Sequence, residues 1–461
     1  MKKNIPHIAQ FDRAYFIGIG GIGMSALSRY FNNLGWQVAG YDKTQTSLTD
    51  QLQKEGISIH FEDFGPSIPE YFQDVAKTLV IYTPAIPKNL GELLHVQHKG
   101  YALHKRAEIL GMITRNSKAI GVAGTHGKTT TSTMLAYILH SSELECNAFL
   151  GGIATNFQSN FVSSKTSELT VIEADEFDRS FLQLTPFASI VTSTDADHLD
   201  IYGNENEFLE GFQSYVDLIA KDGFLIKHIN AKVERENAIT YGIDCEADYV
   251  GSNLRFSDGK FLFDVQTPTS KWQNVELGIP GIHNAENAVA CVATSIQLGL
   301  SEGAVRMALQ SFEGIKRRFE YHIRTENIVY IDDYAHHPTE LNALISSIQL
   351  LYPNKKVTGV FQPHLFSRTR DFFEDFAKQL SRLDDLILLP IYPAREEPIS
   401  GITSEALLEK ITCENKQVLS PEDAVNYCAK NDSDIYLTIG AGDIDRIIEP
   451  LKRALVKKLR S

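Results

Sequence analysis

Residues 121–132 read GVAGTHGKTTTS, and the fold class follows from their setting. The residues just before, 118–122, are an apolar run that predicts a buried strand. After Gly127, the spacing of Met134, Leu135 and Ile138 predicts a helix over 129–139. A strand, a glycine turn and a helix N-terminus together make an anion site, because unpaired backbone N–H groups and the helix dipole face the ligand. Lys128 adds a point charge able to reach a terminal phosphate, and the Thr129 hydroxyl is placed to hold Mg2+. The pattern departs from G-x-x-x-x-G-K-[ST]: Val122 stands where the first glycine belongs, and the turn glycines are Gly124 and Gly127. A bare GKT would read as a glycine turn with an exposed lysine; the flanking strand and helix point to phosphate binding.

The chain has 461 residues, too many for one ordinary core. Hydrophobic residues make up 43% and charged residues 22%, the profile of a folded rather than a disordered chain. A formal charge of −14 excludes broad nucleic-acid binding, so an anionic substrate needs local basic residues. Asn4, Pro6, His7, Gln10 and Asp12 interrupt the start, and no apolar run is long enough to span a membrane. Cys146, Cys245, Cys291, Cys413 and Cys428 are dispersed, which favours reduced thiols over disulfides or zinc. Together these features predict a cytoplasmic protein.

Upstream, residues 14–19 predict a strand, followed by Gly18, Gly20 and Gly23 in the order G-x-G-x-x-G and a helix over 24–34. A second strand at 37–41 ends at Asp42. This opens a Rossmann-like unit with a diphosphate cradle. Two occupants satisfy it, NAD(P) or a nucleotide sugar. A further strand at 78–82 ends at Thr83, and His104, Lys105 and Arg106 are expected to open another helix.

Downstream, a strand at 169–172 ends in Glu173, Asp175 and Glu176, and one at 188–192 ends in Thr194, Asp195, Asp197, His198 and Asp200. Helix caps account for any one of these residues. Two such clusters at the sheet edge that carries the phosphate loop favour Mg2+. Residues 247–266 predict a hairpin turning at Asp258–Gly259, and GIHNAEN at 281–287 enters an Ala/Val-rich helix.

The last third alternates again. Strands are expected at 328–331, 356–361, 385–389 and 435–439, and helices at 338–351, 368–380, 404–411 and 443–459. Three loops at strand ends carry polar residues: DDYAHHP at 332–338, QPHLFSRTR at 362–370 and YPARE at 392–396. Their arginines suit a carboxylate or a phosphate.

GTHGKTT, VIEADEFDRSF, TDADHLDIYG and G-x-H-N-x-x-N resemble the Mur ligases, which build the peptide stem of peptidoglycan. FIGIGGIGMS, DDYAHHPTE, FQPHLFSRTRDF, PIYPAREEPISG and IGAGDI resemble the alanine-adding branch of that family, and the likeness runs through the whole chain. It implies an α/β protein of three domains: a Rossmann-like domain at 1–115, a P-loop-type ATPase domain at 116–315 and a Rossmann-like domain at 316–461. It implies ATP and Mg2+ as cofactors, and UDP-N-acetylmuramate and L-alanine as substrates.

On the same resemblance, Gly18, Gly20, Gly21, Gly23, Met24, Ser25, Asp42, Thr83 and Arg106 bind the sugar nucleotide. Gly124, Thr125, His126, Gly127, Lys128, Thr129 and Thr130 bind ATP, joined by His283, Asn284, Asn287, Arg318 and Asp333. Thr129 holds the first Mg2+, and Glu173 with His198 the second. Tyr334, His336, His364 and Arg368 surround the amino acid, and Lys128, His336, His364 and Arg368 carry the chemistry. Leu365 stands where some members carry Arg, so Arg368 is assigned the alanine carboxylate. Sister ligases carry a carbamylated lysine after the histidine at position 198; no lysine precedes Lys221 here, and none is assigned. Three other readings are a recycling ligase that attaches a tripeptide, an NAD-dependent oxidoreductase, and a non-catalytic regulator on a ligase scaffold. The oxidoreductase leaves the phosphate loop unexplained, and a regulator would be expected to have lost site residues.

Overall fold

A computed structural model describes residues 8–195, 202–257, 260–394 and 396–460. The chain divides into two compact units, and neither is one continuous stretch. The first comprises 1–252, 264–275 and 286–312; the second comprises 253–263, 276–285 and 313–461.

The first unit contains two sheets. In the N-terminal one, five parallel strands run in the order Ser58–His60, Gln37–Tyr41, Arg13–Ile17, Thr78–Tyr82, Ala102–Lys105. Arg13–Ile17 has neighbours added in opposite directions, so the sheet opens a crevice at the carboxyl end of this strand. Gly18 begins the turn there, and the helix Ile22–Asn33 follows.

In the second sheet, Lys118–Ala123 lies between Ala188–Val191 and Leu169–Glu173, both parallel to it. Val122 pairs with Glu173, and Ala123 pairs with Val191. The phosphate loop therefore leaves the sheet between the two strands that carry acidic ends. Beyond Leu169–Glu173 come Asn147–Ala154, parallel, and Ser159–Val162, antiparallel. On the other side follow Leu225–His228, Ile239–Ile243 and Tyr249–Ser257, all parallel. Strands covered on both faces read as apolar runs, and Ala119, Ile120, Val122 and Ala123 are fully buried.

The second unit holds a six-stranded sheet in the order Glu320–Arg324, Val329–Asp333, Ile435–Ile439, Val357–Phe361, Asp385–Leu388, Asn415–Val418. Only the first pairing is antiparallel. The expected strands at 37–41, 78–82 and 435–439 and the helix at 338–351 stand at those residues.

Some elements differ. His104 and Lys105 end the strand Ala102–Lys105, and the helix begins only at Arg106. Parallel pairing of Tyr82 with Lys105 draws them into the sheet. The single helix expected over 368–380 is two, Phe366–Asp371 and Phe373–Leu380, broken at Phe372 (φ −115°, ψ 26°). The Phe372 ring is held 4.5 Å from the His337 ring, and that contact overrides local helix propensity. The last helix begins as a 3-10 turn, Asp443–Ile447, before Ile448–Arg460. Tyr249–Ser257 and Lys260–Gln266 are the expected hairpin strands; their turn at 258–259 lies outside the described residues. Among the described residues no helix is long and apolar enough to cross a membrane.

Candidate active site

The phosphate loop ends in Gly127, whose φ of +79° is left-handed and cheap only for glycine. A Cβ there would also stand 2.8 Å from the Asn287 Oδ1, so Asn287 closes over the loop. The helix Lys128–His140 then starts with its N–H groups turned toward the loop. The loop is tied to the segment after Ala188–Val191. His126 N–H donates to Ser193 Oγ (3.0 Å), Thr125 Oγ1 donates to the Asp195 carbonyl (2.6 Å), and Thr192 Oγ1 donates to the His126 carbonyl. Thr130 is buried behind the loop.

Lys128 does not extend into solvent. Its ammonium donates to the Gly124 carbonyl (2.7 Å) and to both oxygens of Glu176 (2.8 and 2.7 Å). The Glu176 side chain is 1% exposed. Burial opposes the charge on Lys128, but Glu176, Asp175 and Glu173 outweigh it and hold the ammonium above its ordinary pKa. The acidic cluster thus divides its labour. Glu176 orients Lys128, Asp175 lies 3.3 Å from Arg106, and Glu173 accepts from Thr129 Oγ1 at 3.0 Å.

Thr129 and Glu173, from separate motifs, come together as an all-oxygen pair beside the phosphate loop. Hydroxyl and carboxylate donors of this kind fit Mg2+, which takes oxygen and few protein ligands. The close approach is made possible by Gly151 in Asn147–Ala154. A Cβ there would overlap Glu173 Oε2 and stand 2.6 Å from its Cδ. His198, Asp197 and Asp200 lie outside the described residues.

The N-terminal glycine turn is backed by the residues expected beside it. A Cβ on Gly18 would stand 2.6 Å from Thr83 Cγ2, and one on Gly23 would stand 2.5 Å from Arg106 Nη1. Asp42 turns inward: its carboxylate accepts the Gly20 N–H at 2.7 Å and the Thr44 N–H at 3.2 Å, and so it braces the cradle. Met24 and Ser25 have buried side chains, and the Ser25 hydroxyl donates to the Ile22 carbonyl at 2.8 Å. Gly21 precedes the helix as its N-cap. A cavity of about 120 Å³ runs from Gly23 and Arg106 past Leu27 and Gly151 to Glu173 and Asp175. It brings Gly23 of the cradle and Glu173, the partner of Thr129, to one cavity.

In the second unit, Asp333 is buried at the end of Val329–Asp333 and accepts the Phe319 and Ala335 N–H groups, both at 2.8 Å. Burial pushes its pKa up to about 6, against the pull of Arg318. The Tyr334 ring lies 5.1 Å from the Arg318 guanidinium and 5.2 Å from that of Arg317. Arg318 also lies 3.7 Å from Glu340.

His336 and His364 meet edge to face, with ring centroids 5.9 Å apart. The His336 Nδ1 faces the Tyr334 carbonyl at 2.9 Å, which assigns the proton to Nδ1 and the lone pair to Nε2. Arg368 Nη1 faces His364 Nδ1 at 3.4 Å, which assigns the opposite tautomer there. Burial lowers the pKa of both rings, that of His364 to about 4, helped by His336 and Arg368. His364 also stacks on Tyr392 at 5.7 Å. Leu365 adopts φ +72° between these groups, so it shapes the loop without contributing charge. His283 and Asn284 open the helix Ile282–Gln297, and Asn284 Nδ2 donates to the Pro280 carbonyl at 2.7 Å. Arg395 lies outside the described residues. Glu320, His322 and Asp332 also gather in this unit, but Arg317 and Thr438 already hold Asp332.

Sequence reasoning named Tyr392 only as part of the YPARE loop, and it left out Gly151, Glu340 and the pairing of Glu176 with Lys128. The Gly151–Gly152 pair inside a strand was a visible signal of close backbone approach. Nothing local marks the rest.

Comparison with known proteins bears on the family of the chain. Three family models match: the Mur ligase family catalytic domain over 13–118, the Mur ligase middle domain over 122–295 and the Mur ligase glutamate ligase domain over 317–442. The UDP-N-acetylmuramate–L-alanine ligase of Parabacteroides distasonis is 48% identical, over 98% of this chain and 99% of its own. The crystal structure of the UDP-N-acetylmuramate-alanine ligase of Thermotoga maritima is 26% identical with a TM-score of 0.82, covering 97% of this chain and 99% of that one. A murein peptide ligase of Psychrobacter arcticus shares the fold at a TM-score of 0.68 and 22% identity, over 96% and 98% of the two chains. With matches across all three segments and near-half identity over almost its full length, the chain belongs to the Mur ligase family.

Proposed function

We propose that the protein joins L-alanine to the lactyl carboxylate of UDP-N-acetylmuramate at the expense of ATP, in the cytoplasm. The observation that carries this reading is the cavity lined both by Gly23 and Arg106 at the diphosphate cradle and by Glu173, the partner of Thr129. A nucleotide sugar held by its diphosphate presents its far end to the phosphate loop there; an NAD enzyme has no use for such a path.

In the proposed reaction the γ-phosphoryl group passes from ATP to the carboxylate, giving ADP and an acyl phosphate. The neutral amine of alanine attacks the acyl carbon, and inorganic phosphate leaves. Residues 1–115 hold the sugar nucleotide, 116–315 the ATP and 316–461 the amino acid. Arg106 and Thr83 flank the diphosphate. Gly124 to Thr130, with Asn287, cradle the phosphates of ATP; His283, Asn284, Arg318 and Asp333 are also assigned to ATP. Lys128 neutralises charge on the transferred group, a positioning and electrostatic role that suits phosphoryl transfer. Thr129 would hold one Mg2+, and Glu173 with His198 a second. These ions would supply charge neutralisation on the phosphate oxygens.

Tyr334, His336, His364 and Arg368 receive the alanine, with Arg368 on its carboxylate. Nε2 of His336 carries a lone pair and is the group to take a proton from the amine. Its lowered pKa keeps that lone pair available at neutral pH.

The test is phosphate release from ATP and Mg2+ with UDP-N-acetylmuramate, adding L-alanine, other amino acids or the tripeptide in turn. Release that requires both the sugar nucleotide and L-alanine is expected. Release with the tripeptide alone would move the protein to the recycling activity, and no release under any pairing would end the ligase reading.

The His364 environment adds a pH prediction. Its folded pKa of about 4 lies below the ordinary 6.5, so the unfolded chain binds more protons between those values. Stability associated with His364 is therefore complete above pH about 6.5 and is lost as pH falls toward 4. The melting temperature of the protein relative to its His364→Gln variant should fall over that window. A difference that stays flat with pH would show that the ring is not held neutral.

A further inference from the structure

The proposed substrate is gripped at two ends. Its diphosphate lies on the turn before Ile22–Asn33, and its reacting end lies at Glu173 on a different sheet. The distance between the two grips depends on how that helix seats on the strands Asn147–Ala154 and Ser159–Val162, alongside the helix Arg106–Thr114, whose Thr114 hydroxyl bonds Thr185. Part of this seat is aromatic: the Tyr30 ring meets Phe149 at 5.4 Å and Phe161 at 5.9 Å. Apolar packing is non-directional and lets a helix slide or rotate by fractions of an ångström. Hydrogen bonds at its rim, such as Asn33 to Ser163 (2.7 Å), are exposed to water.

One buried polar side chain supplies direction. Asn160, on Ser159–Val162, is fully buried. Its Nδ2 donates to the Ile22 carbonyl at 2.6 Å and to Ser25 Oγ at 2.9 Å. Its Oδ1 accepts from Arg29 Nη1. Arg29 is itself 6% exposed and bonds both oxygens of Glu55 at 2.8 Å. The amide orientation is fixed by chemistry, since a carbonyl such as that of Ile22 can only accept. The three bonds reach the first two turns of the helix, directly behind the glycine cradle. The strand next to Asn160 carries Gly151, and that glycine seats Glu173.

We infer that Asn160 is a positioning residue, which fixes the cradle in register with Glu173 so that a substrate held by its diphosphate brings its carboxylate to the point of phosphoryl transfer. This inference rests on the ligase reading above. Misplacement of reacting groups by about 1 Å can cost on the order of 100-fold in rate.

The test is Asn160→Asp, which keeps the shape and the Arg29 partner but turns an acceptor onto the Ile22 carbonyl. The expected result in the full-length protein is a kcat lower by about 10- to 100-fold. The dissociation constants for UDP-N-acetylmuramate and for ADP, each measured alone by calorimetry, are expected to stay within about threefold, because each grip stays intact. A merely structural role would lower the melting temperature and the folded fraction while leaving kcat per folded molecule unchanged, and that result overturns the inference. So does a loss of sugar-nucleotide binding as large as the loss of kcat. Should Asn160→Asp not fold, Asn160→Ser, which keeps one donor, is read by the same criteria. Wild-type protein that turns over with an unaffected folded variant removes this inference alone. Wild-type protein that releases no phosphate removes the ligase reading, and the inference falls with it.

Discussion

Lys128→Met is expected to abolish turnover and, separately, to weaken the fold. The first effect follows from losing the cation at the phosphate loop, a loss worth about 10²–10³-fold or more where charge develops in the transition state. The second follows from Glu176. With Lys128 gone, a carboxyl that is 1% exposed, and whose pKa burial already raises, loses the cation that supports its charged form. Breaking one side of a buried pair costs about 3–5 kcal/mol. The double variant Lys128→Met/Glu176→Gln removes the orphaned carboxyl group and should recover most of the melting temperature but none of the phosphate release. UDP-N-acetylmuramate binding, measured by calorimetry, should be largely intact in the double variant. Recovery of turnover would take Lys128 out of the chemistry. Equal loss of sugar-nucleotide binding would count against the separation of the two grips.

Gly151→Ala is the second large effect, out of proportion to one methyl group. The new Cβ overlaps Glu173, so the carboxylate must swing away from Thr129 and the 3.0 Å bond between them is lost. Displacing a residue that orients a metal ligand typically costs about 10- to 100-fold in metal affinity or activity. The Mg2+ concentration giving half-maximal phosphate release should rise by about that factor. Mn2+ binding in the presence of ADP, followed by electron paramagnetic resonance, should weaken in parallel. An unchanged Mg2+ midpoint would show that Glu173 does not take part in holding the ion.

Much of this site is written locally. Gly124, Gly127, Lys128 and Thr129 are neighbours in sequence, and a strand–turn–helix unit leaves them one arrangement. Glu173 was legible because acidic residues at the ends of parallel strands share an edge with such a loop. Specific pairings were not legible. Glu176 and Glu173 sit three positions apart in one motif, and only the backbone path decides which meets Lys128 and which meets Thr129. Asn160 carries no motif, and its partner Ile22 is 138 positions away. His104 and Lys105 have helix-compatible neighbours, and only pairing with Thr78–Tyr82 makes them strand. In each case a tertiary contact chose between local options of similar energy.

The interleaved chain path of the two units bears on how the protein can be dissected. A clone ending at residue 312 would keep the segments 253–263 and 276–285 while deleting 313–461, with which they cluster, and a clone starting at 313 would lack them, although Tyr249–Ser257, Lys260–Gln266 and Lys271–Leu277 also extend the ten-stranded sheet. Each truncation separates segments that cluster in the second unit, so an inactive or insoluble half carries no information about which half binds which substrate. Protease nicking near residue 312 faces the same difficulty, because the segments 253–263 and 276–285 stay on the first piece. Assigning ligands to segments is better done on the uncut chain, by following amide exchange as each substrate is added separately.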